Sequence, residues 1–191
     1  THVPVGDDQK QHLELCRDIA QKFNNDYKIE SFFIVPEPLI KKEFSRIMSL
    51  KDGLKKMSKS ELSDLSRINL TDDKDQIINK IKKAKTDTLP LPSKIEELEN
   101  RPEAKNLIGI YSSLMNNKLQ KTIDEFAGKN FSEFKEKLSE IVVNEINPIS
   151  LKIKELLDDK VFLEKILKDG YEKANEIASK KIKKIQEIVG F

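Results

Sequence analysis

Cysteine is nearly missing from these 191 residues. Cys16 stands alone, so no internal disulfide can form, which fits a reducing compartment. Glycine and proline are few as well, six and seven, and this excludes collagen-like and low-complexity chains. No stretch of roughly 18 uncharged apolar residues exists to span a bilayer. No apolar core follows a basic start, as a secretory signal would require. A dominant charge is also lacking: 35 Lys and Arg stand against 33 Asp and Glu, so no global field marks a nucleic-acid binder. What remains is 37% apolar and 36% charged, with mean hydropathy −0.56, enough for one domain or two small ones. The chain opens on Thr1-His2-Val3-Pro4-Val5 rather than on methionine. Together these features predict a soluble cytoplasmic chain, free of membrane segments, that is a piece of a longer protein.

Local charge is uneven. Lys80, Lys82, Lys83 and Lys85 crowd one segment, and Lys180, Lys181, Lys183 and Lys184 another. Lysine offers phosphate a point charge rather than a bidentate fork, and each cluster taken alone reads first as a solvated helix face.

The first sixty residues alternate short apolar runs with one helix. Val3-Pro4-Val5-Gly6 reads as a strand end, with Asp7 and Asp8 placed to open a helix. Leu13, Cys16, Ile19, Ala20 and Phe23 give that helix an apolar face, and Asn24-Asn25-Asp26 should stop it. Phe32-Phe33-Ile34-Val35 reads as a short buried strand, and Ile47-Met48-Ser49-Leu50 as a second apolar run followed by a turn at Lys51-Asp52-Gly53. From residue 61 the pattern is helical. Asp72 or Asp73 can cap a stripe of Ile77, Ile78, Ile81 and Ala84, Gly128 should close a short helix, and Ser132 should cap a long one. A kink or break is expected at Pro148 and a separation at Gly170. Phe126, Phe131 and Phe134 read as core. The organisation is α/β followed by an α-helical bundle.

Lys56-Met57-Ser58-Lys59-Ser60 is the most informative run. Two lysines three apart, with hydroxyls between them, can surround a polyphosphate: the ammonium groups neutralise oxygens and the serines add neutral donors. A basic surface turn is the competing reading. His12 and Cys16 lie four apart on one helix but lack further ligands, so no metal site is expected. A serine nucleophile has no Gly-x-Ser-x-Gly setting here.

The run matches the KMSKS signature of class I aminoacyl-tRNA synthetases letter for letter, and its flanks agree. Val3-Pro4-Val5-Gly6-Asp7-Asp8-Gln9 with Gln11-His12-Leu13-Glu14-Leu15 resembles the VPVGEDQ…QHLEL segment of the tryptophanyl-tRNA synthetases. Arg46-Ile47-Met48-Ser49-Leu50 resembles the strand before their signature loop. Lys80 to Asp87 and the helix at Asn106-Leu107-Ile108 look like their C-terminal part. The resemblance runs over nearly the whole chain and implies its C-terminal portion, without the N-terminal half that carries the HIGH motif. Implied is an α/β remnant over 1–60, the second half of a Rossmann-like nucleotide-binding domain with the signature loop. A mainly α-helical anticodon-binding domain would follow over 61–191, its last helix packing back on the catalytic domain.

Carried over, the resemblance implies a tryptophan–tRNA ligase that uses ATP with Mg2+, L-tryptophan and tRNA(Trp), works as a homodimer when intact, and is inactive as this piece alone. Val3, Val5 and Gln9 would bind tryptophan. Gly6, Asp7, Asp8, Ile47, Lys56, Met57, Ser58, Lys59 and Ser60 would bind ATP, with Asp8 on the ribose and Ile47 and Met57 near adenine. Lys56 and Lys59 would be catalytic. Asp7 replaces a common Glu, a mild change, and Glu61-Leu62 replaces a common Asp-Pro, which removes a rigid proline. Two rivals stand beside this reading. A tyrosyl-type enzyme is disfavoured by Val3-Pro4-Val5, where that family usually has a Gly-rich stretch; a non-catalytic tRNA-binding or dimerisation module is the other. The lysines of 180–184 could meet phosphate backbone or solvent equally well.

Overall fold

Parallel strands cannot be joined by a tight turn, so a short α/β segment needs a crossover helix. The structure, a computed structural model, describes residues 1–6, 9–40 and 46–191. In it, β1 (His2–Pro4), α1 (Lys10–Asp26) and β2 (Glu37–Leu39) form one such unit. The strands pair in parallel, His2 with Glu37, Val3 with Pro38 and Pro4 with Leu39. Backbone contacts divide the chain into two compact units, Thr1–Ile40 with Lys154–Phe191, and Lys41–Ile153. The fold is thus an α/β segment followed by a mainly helical part, as the sequence predicts.

Within the first unit, several expectations shift. Asp7 and Asp8 lie outside the described residues. The strand expected at Phe32–Val35 is instead a bend, and the strand falls at Glu37–Leu39, where prolines sit in a short two-stranded pair. The reason is local. The Asn24 side-chain amide both donates to the Phe33 carbonyl and accepts from the Phe33 N–H, each at 2.9 Å, replacing a strand partner. α1 ends on Asp26, within the Asn24-Asn25-Asp26 run read from the sequence as its stop. The Phe32 and Phe33 rings close on Phe23 at 5.3 and 5.0 Å. Of the expected apolar face, Leu13 and Ala20 are buried, whereas Ile19 and Cys16 are exposed.

The last helix, α6 (Lys160–Val189), continues through Gly170, contrary to the expected separation. A glycine inside a helix costs only about 0.5–1 kcal/mol relative to alanine, which a helix of 30 residues carries. Lys181 sits 3.7 Å from the centre of the Phe32 ring and donates to the Phe32 carbonyl. That residue of the terminal lysine cluster is therefore a cation–π partner inside its unit.

The second unit holds the large core. Its helices are α2 (Lys74–Lys82), α3 (Pro102–Leu114), α4 (Leu119–Phe126) and, as far as Ile153, α5 (Phe131–Asp158). Asp73 caps α2 in a reciprocal box with Gln76, and Gly128 follows α4 at φ 72°, both as read from the sequence. The cap of α5 is Asn130, not Ser132: its Oδ1 accepts from the Glu133 N–H at 3.0 Å because the helix starts two residues earlier, at Phe131. Pro148 lies inside α5 without ending it. The missing N–H removes one rung of the ladder, while Phe134, Leu138 and Val142 anchor the preceding turns in the core. Phe126, Phe131 and Phe134 are all buried. Tyr111 and Phe126 meet edge to face at 5.0 Å, and Phe126 and Phe134 at 4.9 Å.

Tyr111 donates to Glu125 Oε1 at 3.0 Å, and burial, then that carboxylate, pushes its phenol up to about 12. The folded state thus holds the phenolic proton more tightly than the unfolded one. Its contribution to stability is complete below the ordinary value of 10.0 and is lost as pH rises toward about 12. Denaturant titrations across that window should show a loss on the order of 2 kcal/mol that Tyr111→Phe removes.

Candidate functional site

The signature run sits at the end of a small hairpin in the second unit. Here the apolar run Ile47–Leu50 makes no full strand, only a single antiparallel bridge between Met48 and Lys56. The Met57 N–H donates to the Ile47 carbonyl at 3.0 Å, and the Ser49 N–H to the Lys55 carbonyl at 2.8 Å. These bonds place Ile47 beside Met57. Met57 is half-buried and packs on the core, which leaves the flanking lysines outward. Lys56, Lys59 and Ser60 are exposed, and the Ser58 and Ser60 hydroxyls lie 2.8 Å apart. Two ammonium groups and two hydroxyls on one exposed turn can meet phosphate oxygens.

Both stems of this hairpin are docked. The Asn106 side chain on α3 accepts from the Met48 N–H and donates to the Met48 carbonyl, each at 2.9 Å. Gly53 lies so close to α3 that an added Cβ would stand 2.6 Å from the Glu103 nitrogen. Glu103 and Lys85 pair at 2.8 Å; the ammonium holds the carboxyl below its usual range, and the carboxylate raises the lysine. After the run, Arg67 Nη1 donates to the Glu61 carbonyl at 2.9 Å. Asp64 is held low by hydrogen bonds from Lys80 and then Asn69.

Sequence reasoning missed these supports. The lysine-rich segment predicts a solvated face for Lys80, yet it is 3% exposed and meets Asp72 at 2.6 Å. Its spacing held the signal, since it falls three residues after Ile77 and four before Ala84, on the buried stripe. Asp72, a candidate cap, is instead its partner.

The remaining predicted site residues belong to the first unit. Val3 lies on β1, the Val5 N–H donates to the Leu39 carbonyl at 3.2 Å, and the Gly6 carbonyl accepts from the Gln9 N–H at 3.0 Å. Val3, Val5 and Gly6 are half-buried and Gln9 is exposed. Asp7 and Asp8 are outside the described residues. Among the described residues, no three His, Cys, Asp or Glu stand together as a metal site, and no helix is long and apolar enough to cross a membrane.

A family model described as tRNA synthetases class I (W and Y) matches residues 1–146. The chain belongs to this family. Among class I synthetases of the W and Y type, it is 50% identical to the tryptophan–tRNA ligase of Agrobacterium fabrum, with all of this chain and 59% of that protein covered. It is 51% identical to that of Caulobacter vibrioides, covering all of this chain and 56% of the relative. A tryptophanyl-tRNA synthetase structure from Mycoplasma pneumoniae superposes with TM-score 0.82 at 30% identity, covering 100% of this chain and 56% of that one. The Campylobacter jejuni enzyme complexed with ADP and tryptophan gives 0.66 at 31% identity, over 100% and 57%. The chain spans little more than half the length of these relatives.

Proposed function

We propose that this chain is the signature-loop and helical part of a tryptophan–tRNA ligase, which forms tryptophanyl-adenylate from ATP and passes the acyl group to tRNA(Trp). The observation that carries this is the intact Lys56–Ser60 run on a docked, exposed turn, within a chain half identical to tryptophan–tRNA ligases along its whole length.

In this reading a tryptophan carboxylate oxygen attacks the α-phosphorus of ATP. The bond from that phosphorus to the bridging oxygen breaks, and pyrophosphate leaves. Negative charge grows on the leaving group, and Lys56 and Lys59 meet it there, aided by the Ser58 and Ser60 hydroxyls. Contacts that strengthen as charge develops lower the barrier more than contacts made equally to bound ATP. The tRNA 3′-terminal hydroxyl then attacks the acyl carbon, and AMP departs. ATP enters as its magnesium complex. The lysines and serines of the turn suit phosphate oxygens rather than the ion, and magnesium is normally carried by nucleotide phosphates. Ile47 and Met57 form the apolar side for adenine, Gly6, Asp7 and Asp8 serve the nucleotide, and Val3, Val5 and Gln9 serve the indole and amino group.

Residues 1–60 complete the catalytic domain and 61–191 read the anticodon in this account. The Lys181–Phe32 contact supports the last helix packing on the catalytic part. The intact enzyme acts as a cytoplasmic homodimer. A complete protein, made by joining this chain to the N-terminal portion of the Caulobacter relative, should exchange pyrophosphate into ATP with tryptophan and not with tyrosine. Exchange supported by tyrosine alone would overturn the assignment.

A further inference from the structure

We propose that the buried Lys80 is a positioning residue for the phosphate loop, acting through Asp64 and Arg67 on the Glu61 carbonyl. This rests on the reading of Lys56 and Lys59 as the phosphate-binding groups.

A buried ammonium must be paired, because its desolvation otherwise costs several kcal/mol. Asp72, only 5% exposed, meets that need at 2.6 Å. Yet Lys80 also binds Asp64 at 2.6 Å, and Asp64 is 54% exposed. The second carboxylate is surplus to neutralisation. It belongs instead to the short 3₁₀ turn Asp64–Ser66, on the segment leaving the signature run. Asp64 in turn meets Arg67 Nη2 at 3.2 Å and accepts from Asn69 Nδ2 at 2.9 Å. Arg67 donates to the Glu61 carbonyl, one residue beyond Ser60. The Glu61 N–H reaches back to the Ser58 carbonyl at 3.4 Å. An unbroken path of polar contacts therefore runs from the last turn of α2 to the loop.

Asn106 and the close approach of Gly53 fix the other stem on α3. Between these supports Met57 packs on the core and its N–H donates to the Ile47 carbonyl, while Lys59 and Ser60 stay exposed. Such a loop has fixed ends and exposed lysines, so those lysines return to one place each time phosphate arrives. A displacement of about 1 Å at a reacting group can cost on the order of a hundredfold in rate.

The test separates positioning from mere stability. Asp64→Asn leaves the buried Lys80–Asp72 pair in place and weakens only the link to the loop. In the joined complete protein, amide exchange at residues 58–62 should quicken about tenfold. Tryptophan-dependent pyrophosphate exchange should fall about tenfold in kcat with KM for tryptophan unchanged. Asp64→Glu should recover most of the loop protection. Unchanged amide exchange at 58–62, or a loss of protection spread evenly over α2 to α5, would overturn the proposal. A Lys59→Ala variant with unaltered pyrophosphate exchange would instead sink the phosphate reading, while the amide-exchange result stood on its own.

Discussion

Phe134→Ala should destabilise the helical unit by about 3–5 kcal/mol, read by denaturant titration of far-UV circular dichroism. The side chain is fully buried, and it leaves α5 to pack against rings from two other helices, Phe126 of α4 at 4.9 Å and Tyr111 of α3 at 5.7 Å. Alanine would empty the space where these helices converge. Their backbones are held elsewhere, by the Ser112–Thr122 hydroxyl bond at 2.8 Å and by the capped start of α5, so the cavity cannot collapse easily. Phe191→Ala makes the control, since that ring is 93% exposed and its loss should stay within about 0.5 kcal/mol. A loss below about 1 kcal/mol at Phe134 would mean that this aromatic cluster does not organise the unit.

The helical half was legible because its signals are local. Asp73 with Gln76, Gly128 after Phe126, and the stripe of Ile77 and Ile81 each follow from spacing of a few residues. Gly170 does not separate the last helix, and Pro148 does not end α5, for the opposite reason. The intrinsic cost of each residue is local, whereas the packing or helix length that offsets it is not. The misplaced strand shows the same limit. Apolar content alone favoured Phe32–Val35, but a side chain nine residues away, Asn24, took the backbone bonds of Phe33.

The candidate site divides along similar lines. Lys56 to Ser60 could be read directly, because the chemistry and the order of residues lie in one contiguous run. Its supports could not, since Asn106 acts on Met48 across 58 residues and Lys80 on Asp64 across sixteen positions of turn and helix. Lysine, moreover, reads as solvent-facing until its partners are known. Only the helical register placed Lys80 on the inner face.

In the proposed mechanism Lys59 meets charge forming on pyrophosphate. Its side chain is exposed on the turn, so Lys59→Ala should leave the fold and its melting temperature unchanged. Removing one donor aimed at developing charge typically lowers kcat by about a hundredfold to a thousandfold. Loss of tryptophan affinity is not expected, because Val3, Val5 and Gln9, the residues proposed to bind tryptophan, belong to a different segment. The deciding measurement is tryptophan-dependent ATP–pyrophosphate exchange by the joined complete protein with and without Lys59→Ala, alongside tryptophan binding. A loss of about a hundredfold or more in exchange, with binding retained, is expected; exchange at the parent rate would exclude this role for Lys59.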